Sequence, residues 1–254
     1  PDAVAAEHHG ETITYGALDR QANRLAARLA RHGIRPGDNV AVFVRRGVPM
    51  LVGILGVLKA GAAYVPQDAG HAPPAHLRHV IDAAKTRVIL TTSGLADRVP
   101  VPAGHQLVTI DTLMTQPVDD PSDEEFRPRP SGSGDDNCYV LFTSGTTGRA
   151  NGVAVTHRNV CNILLTAPGD LGIRPGWRVG QLLNVAFDMA AWEILGCLSH
   201  GATLVIRGRD VAETAQRVDV IVATPTMLSG LDPDRCGPVK VVAVAGEPCP
   251  RPLA

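Results

Sequence analysis

Tyr139-Val140-Leu141-Phe142-Thr143-Ser144-Gly145-Thr146-Thr147-Gly148-Arg149-Ala150-Asn151-Gly152-Val153 sets a hydroxyl- and glycine-rich loop directly after a buried-strand pattern. The glycines let the backbone turn tightly and approach a ligand, while Thr143, Ser144, Thr146 and Thr147 add hydroxyl donors to the backbone N–H groups. Together they form a cradle for phosphate that carries no fixed positive charge. A Walker-type loop requires a lysine followed by Ser or Thr, and no lysine occurs between Lys85 and Lys240, which removes that reading. A flexible linker is the plainer alternative, but linkers are not normally bracketed by Tyr139-Val140-Leu141-Phe142 and Val153-Ala154-Val155.

On the N-terminal side of this loop, Leu18, Ala22, Leu25, Ala26 and Leu29 recur at helical spacing, with Thr14 available as an N-cap and Gly33 placed to end the helix. Continuous apolar runs at 40–44, 62–65, 87–91 and 107–110 read as strands, and 49–60 and 74–84 as helices. Residues 117–136 break the rhythm with Pro117, Pro121, Pro128, Pro130 and a cluster of acids, which is a surface connection. The alternation resumes with strands at 139–142, 178–183, 202–206, 219–223 and 240–245 and helices at 156–165 and 189–198. Continuous apolar strands alternating with helices predict an α/β fold with mainly parallel sheets covered by helices, in two packed subdomains at 1–116 and 137–254.

The 254 residues are 44% hydrophobic with a formal net charge of -1, which gives no electrostatic reason to expect nucleic acid or an anionic membrane. No apolar run approaches the roughly 20 residues that span a bilayer. Cys138, Cys161, Cys197, Cys236 and Cys249 form no Cys-x-x-Cys pair, so buried free thiols in a reducing, cytoplasmic compartment are expected. His71, His76 and His79 are interrupted by Pro73-Pro74 with no carboxylate partner expected nearby, and no metal site is assigned.

The loop resembles the signature Thr-Ser-Gly-Thr-Thr-Gly-x-Pro-Lys-Gly-Val of the adenylate-forming superfamily, and within it the amino-acid adenylation domains of nonribosomal peptide synthetases. Ala150-Asn151 stands where the family has Pro-Lys, which removes one cation from the loop. The segment 58–68 is similar to the family's Leu-Lys-Ala-Gly-Gly-Ala-Tyr-Val-Pro-Leu-Asp element, and 13–18 to its Leu-Thr-Tyr-x-Glu-Leu element. Phe187-Asp188-Met189-Ala190 resembles the Phe-Asp-x-Ser stretch of amino-acid activators, and Ala245-Gly246-Glu247 the Gly-Gly-Glu turn beside the adenine.

The resemblance implies activation of an amino acid as aminoacyl-AMP, using ATP with Mg2+, for transfer to the phosphopantetheine of a partner carrier domain. Carrier and condensation domains of a parent synthetase would be its partners. Thr143, Ser144, Gly145, Thr146, Thr147 and Gly148 would then close over the phosphates, and Gly246 and Glu247 would line one side of the adenine. Asp188, read by itself, is a carboxylate in an apolar setting that a cation should meet, or else the N-cap of a helix starting at Met189. By resemblance it binds the substrate α-ammonium.

Met189, Trp192, Val222, Ala243 and Ala245 would line the side-chain pocket. An all-apolar set of this kind favours a hydrophobic or aromatic amino acid, ordinary core packing being the alternative. The family's magnesium-binding Tyr-Gly-Pro-Thr-Glu stretch, ribose aspartate, hinge and catalytic lysine lie further along and have no counterpart in these 254 residues, so the chain by itself is expected not to complete the reaction. Two rivals remain open: an acyl- or aryl-CoA ligase of the same superfamily, and a degenerate, non-catalytic relative.

Overall fold

The alternating pattern resolves into two sheets, each parallel in its interior and closed at one edge by an antiparallel strand. The computed structural model describes residues 1–117, 123–124, 126, 132–143 and 149–253. In chain order the elements are β1 (Val4–His8), β2 (Glu11–Thr14), α1 (Tyr15–Arg31), β3 (Asn39–Phe43), α2 (Val48–Lys59), β4 (Ala63–Gln67), α3 (Pro74–Ala84), β5 (Val88–Thr91), β6 (Gln106–Thr109), α4 (Ile110–Thr115), β7 (Asn137–Thr143) and β8 (Asn151–Thr156). They continue with α5 (His157–Leu164), β9 (Arg178–Gln181), α6 (Asp188–Ser199), β10 (Thr203–Ile206), α7 (Val211–Ala215), β11 (Val220–Ala223), α8 (Pro225–Ser229) and β12 (Val241–Val244).

One unit is the contiguous segment 16–160, with strand order β6-β5-β3-β4-β7-β8. β3, β4 and β5 are buried almost throughout, as expected of strands covered on both faces. The stripe Leu18, Ala22, Leu25, Ala26 and Leu29 forms the buried face of α1. That helix ends where Gly33 N–H donates to the Ala30 carbonyl and Ile34 N–H to the Leu29 carbonyl, both at 3.0 Å, the paired bonds of a Schellman cap. The Pro- and acid-rich connection is partly held by α1: Arg31 pairs with Asp123 at 2.7 Å, and Asn23 Nδ2 donates to the Glu124 carbonyl at 2.6 Å.

The second unit comprises residues 1–15 and 161–254, with strand order β12-β11-β9-β10-β1-β2. The expected division at 117–136 therefore does not coincide with the units. β7 and β8 hydrogen-bond into the first sheet through β4, while β1 lies parallel to β10 with Ala6 opposite Leu204. Residues 1–15 thus pair far along the chain, a connection that local hydrophobic patterning does not report. β1 and β2 form a hairpin across His9 (φ 51°) and Gly10 (φ 84°), the two left-handed residues that a type I′ turn demands.

Asp219, just ahead of β11, ties three neighbouring strands together. Its carboxylate accepts from the Arg178 N–H at 2.7 Å and pairs with Lys240 at 2.5 Å, and its own backbone bonds both β9 and β12. Partial burial pushes this carboxyl up, but the hydrogen bonds and charges of Lys240 and Arg178 outweigh it and hold the group below the usual aspartate range. A depressed folded-state value means the stabilisation is complete above the ordinary aspartate pKa and is lost as pH falls through the lower, folded one. Asp219→Asn is expected to lower stability by about 1–2 kcal/mol at pH 7, with that difference shrinking progressively as pH is lowered below the ordinary aspartate range, as urea melts over a series of pH values would show.

Candidate functional site

Parallel strands deliver their connections to one edge of a sheet, so ligands of such folds gather at the strands' carboxyl ends. In the second unit β12, β11 and β9 are adjacent in that order. At their carboxyl ends stand the turn at 245–247, the helix α8 and the connection 182–187 into α6. Thr224 caps α8, its Oγ1 accepting from the Met227 N–H at 3.2 Å, with Pro225 opening the first turn. Glu247 accepts from the backbone N–H of Thr226 at 3.2 Å and from its hydroxyl at 2.5 Å, which fixes the turn after β12 against α8. A Cβ on Gly246 would lie 3.5 Å from Thr224 Cγ2 and 3.6 Å from Met189 Sδ, so this turn rests on the head of α6.

Asp188 corrects both residue-level expectations. The helix begins at Asp188 rather than at Met189, so the N-cap position belongs to Phe187, which offers no side-chain acceptor. The Asp188 carboxylate instead accepts from the next N–H, that of Met189, at 2.8 Å. Its surroundings are open, not apolar: Asp188 is exposed and Phe187 beside it is 61% exposed. Among the described residues no basic side chain forms an ion pair with it.

The five apolar residues do come together. Met189 and Val222 are buried with Leu183 and Ala190, and Trp192, Ala243 and Ala245 pack against them. Val222 and Ala243 are register partners on β11 and β12, and Ala245 comes two residues later, hence on the same face. A cleft of about 840 Å³ adjoins this cluster, bounded by β12, Trp192 and the loop 166–172; of the five, Trp192 and Ala243 border it. Trp192 Nε1 donates to the Gly169 carbonyl at 2.7 Å. Gly169 was not singled out by its sequence, and neither were Gln181, Thr224 and Thr226. Glu193 carried a readable signal, as a lone acid inside an apolar helical run.

Thr143 lies in the other unit, exposed at the carboxyl end of β7 and in register with Asn151 of β8. Residues 144–148, the remainder of the expected phosphate cradle, lie outside the described residues. Their flanks are held by that Thr143–Asn151 pair and by His79, whose Nε2 is 2.8 Å from the Ala150 carbonyl oxygen.

Among the described residues no group of three His, Cys, Asp or Glu side chains could hold a metal ion. His76 is engaged with Gln67 at 3.0 Å, and His71 has Asp68 at 2.8 Å, a nearby carboxylate that sequence spacing did not suggest. Of the five free cysteines only Cys138 and Cys197 are buried, while Cys161 and Cys249 are exposed. No helix among the described residues is long and apolar enough to cross a membrane.

Comparison with known proteins gives the family and the fold. The family described as AMP-binding enzyme matches residues 1–254. Adenylate-forming reductase 06235 of Coprinopsis cinerea is 42% identical over 257 residues, which include all of this chain and 25% of the reductase. The crystal structure of the nonribosomal peptide synthetase FmoA3 in its AMPPNP-bound form superposes with a TM-score of 0.86 at 28% identity, covering all of this chain and 28% of that one. The N-terminal subdomain of Klebsiella oxytoca NpsA gives 0.86 at 25% identity, covering all of this chain and 67% of that one. The chain thus spans about a quarter of the curated reductase it matches. A family match over every residue, with the same fold in the N-terminal subdomain of a solved relative, shows that the chain belongs to the AMP-binding enzyme family as the N-terminal part of an adenylation domain of the nonribosomal-peptide-synthetase type.

Proposed function

We propose that this region activates a hydrophobic or aromatic α-amino acid as its aminoacyl-adenylate. The substrate carboxylate attacks the α-phosphorus of ATP, the bond to the bridging oxygen breaks and pyrophosphate leaves. The observation that carries the reading is Asp188: an exposed carboxylate without an ion-pair partner among the described residues, at the head of the helix whose first turns contribute Met189 and Trp192 to the apolar cluster. An α-ammonium on Asp188 would direct the substrate side chain toward Met189, Trp192, Val222, Ala243 and Ala245. Thr143 to Gly148 would meet the phosphates, and Gly246 and Glu247 one side of the adenine. Such catalysis rests on positioning and charge stabilisation rather than on a nucleophile of the protein. The Mg2+ that accompanies ATP supplies charge neutralisation, and no cluster of described side chains is assigned to it.

The activated acyl group would pass to the phosphopantetheine thiol of a carrier domain in the cytoplasm, with a condensation domain downstream. The 42% identity to an adenylate-forming reductase favours a second setting for the same step, a reductase in place of a peptide synthetase. Both share the adenylation step. An intact adenylation domain carrying this chain should support ATP–pyrophosphate exchange at least tenfold faster with apolar amino acids than with their des-amino analogues, and at background with charged ones. Equal exchange with the des-amino acids would place the protein among acyl or aryl acid ligases instead.

A further inference from the structure

Glu193 lies on α6 facing the interior and is 0% exposed. Burying a carboxylate in this way is costly unless its oxygens are fully engaged. Here they are. One oxygen accepts from the Leu182 N–H at 2.9 Å, both approach the Leu183 N–H at 3.2 and 3.3 Å, and the second accepts from Gln181 Nε2 at 3.1 Å. Gln181, equally buried, also donates to the Leu183 carbonyl at 2.6 Å. The peptide groups on both sides of Leu183 are therefore gripped by side chains, just where β9 ends and the connection to α6 begins.

From Leu183 the backbone is constrained step by step into the helix. Asn184 Oδ1 accepts from the Ala186 N–H at 3.0 Å, Phe187 N–H donates to the Asn184 carbonyl at 3.0 Å, and Asp188 opens α6. Leu183 itself is buried against Met189, Ala190 and Val222. The same helix that presents Asp188 at its first position thus reaches back, from its second turn, to hold the strand end that leads into Asp188.

We infer that Glu193 is a positioning residue for amino-acid recognition: its carboxylate, through Leu182, Leu183 and Gln181, sets both the placement of Asp188 and one wall of the apolar pocket. The inference rests on the reading of Asp188 as the ammonium ligand. The chemistry requires an acid, because a carboxylate offers acceptors alone, enough for three donors, whereas a glutamine at this position would turn an NH2 group toward N–H donors. The amino-acid half of the reaction should depend on it more than the ATP half, since the ATP phosphates are assigned to the loop after β7 and the adenine-side turn meets α6 only beside Met189.

In an intact adenylation domain carrying this chain, Glu193→Gln should raise the amino-acid KM at least tenfold while leaving the ATP KM within twofold. Hydrogen exchange at the Leu182 and Leu183 amides should quicken at least tenfold, without general loosening of the fold. Unchanged amino-acid KM and exchange overturn the inference, as does a parallel rise of both KM values with exchange accelerated throughout, which marks a residue of structure alone. Should Glu193→Gln not fold, Gln181→Met, which removes only the side-chain arm, carries the same test: a rise of at least threefold confined to the amino-acid KM supports the clamp, and a wild-type value overturns it. Asp188→Asn in parallel separates the two readings. If the Asp188→Asn variant retains the preference for amine over des-amino substrate, the ammonium reading fails and the functional half of the inference with it. If that preference is lost while Glu193→Gln behaves as wild type, the clamp alone fails.

Discussion

Asp188→Asn in an intact domain is expected to lower kcat/KM for the amino acid on the order of 100-fold, the loss of about 3 kcal/mol that results when one member of a hydrogen-bonded charge pair is removed. Stability should scarcely change. The side chain is exposed and makes one hydrogen bond, to the Met189 N–H, which an asparagine oxygen also accepts. Alanine at this position would lose that bond too, adding about 1 kcal/mol of destabilisation. The decisive measurement is the ratio of exchange rates with an amino acid and its des-amino analogue: it should collapse toward unity in the asparagine variant. A preserved ratio would mean that the amine is recognised elsewhere.

Gly169→Ala is expected to damage fold and pocket together. A Cβ there would sit 2.1 Å from the Ile163 carbonyl oxygen and 3.0 Å from its carbon, both backbone atoms of α5 that cannot swing aside. Relief requires the loop 166–172 to move away from the helix, carrying the Gly169 carbonyl off Trp192 Nε1. Overpacking of this kind costs about 3 kcal/mol, or a fall in Tm of about 10 °C for a domain of this size. With its indole released, Trp192 should discriminate less well among amino-acid side chains, so activation of the preferred substrate should fall while that of larger ones falls less. Calorimetry with an exchange panel would test this, and a wild-type Tm would contradict the geometry of the loop.

Much of the fold was legible because local pattern and long-range packing agree. The helix read at 74–84 is α3 to the residue, and the five-residue stripe of α1 is buried as its spacing requires. Where the two disagree, the sequence was silent. Val4-Ala5-Ala6-Glu7-His8 has little β-branched character and His9-Gly10 is an uncommon hairpin turn, so β1 and β2 went unseen; their place in the sheet is set by β10. The five apolar residues came from the family resemblance, and they cluster because α6, β11 and β12 bring them together. Asp188 was read in the wrong surroundings, since apolar neighbours in sequence point inward while it points out. The Gly169 carbonyl accepts from the Trp192 indole and the Gln181 amide donates to the Leu183 carbonyl and Glu193, contacts that no periodicity encodes.

The pairing of Ala6 with Leu204 also orders events in time. At synthesis rates of about 5–20 residues per second, β1 waits roughly 10–40 s after leaving the ribosome before its parallel neighbour exists. During that interval the contiguous segment 16–160 has every strand of its own sheet and can fold, whereas the hairpin of β1 and β2 is too small to be stable alone. The nascent chain therefore carries an unpaired strand edge from the emergence of β1 until β10 is made, and a pause in translation between residues 160 and 204 would lengthen the period in which that edge is open to chaperones or to a neighbouring polysome chain.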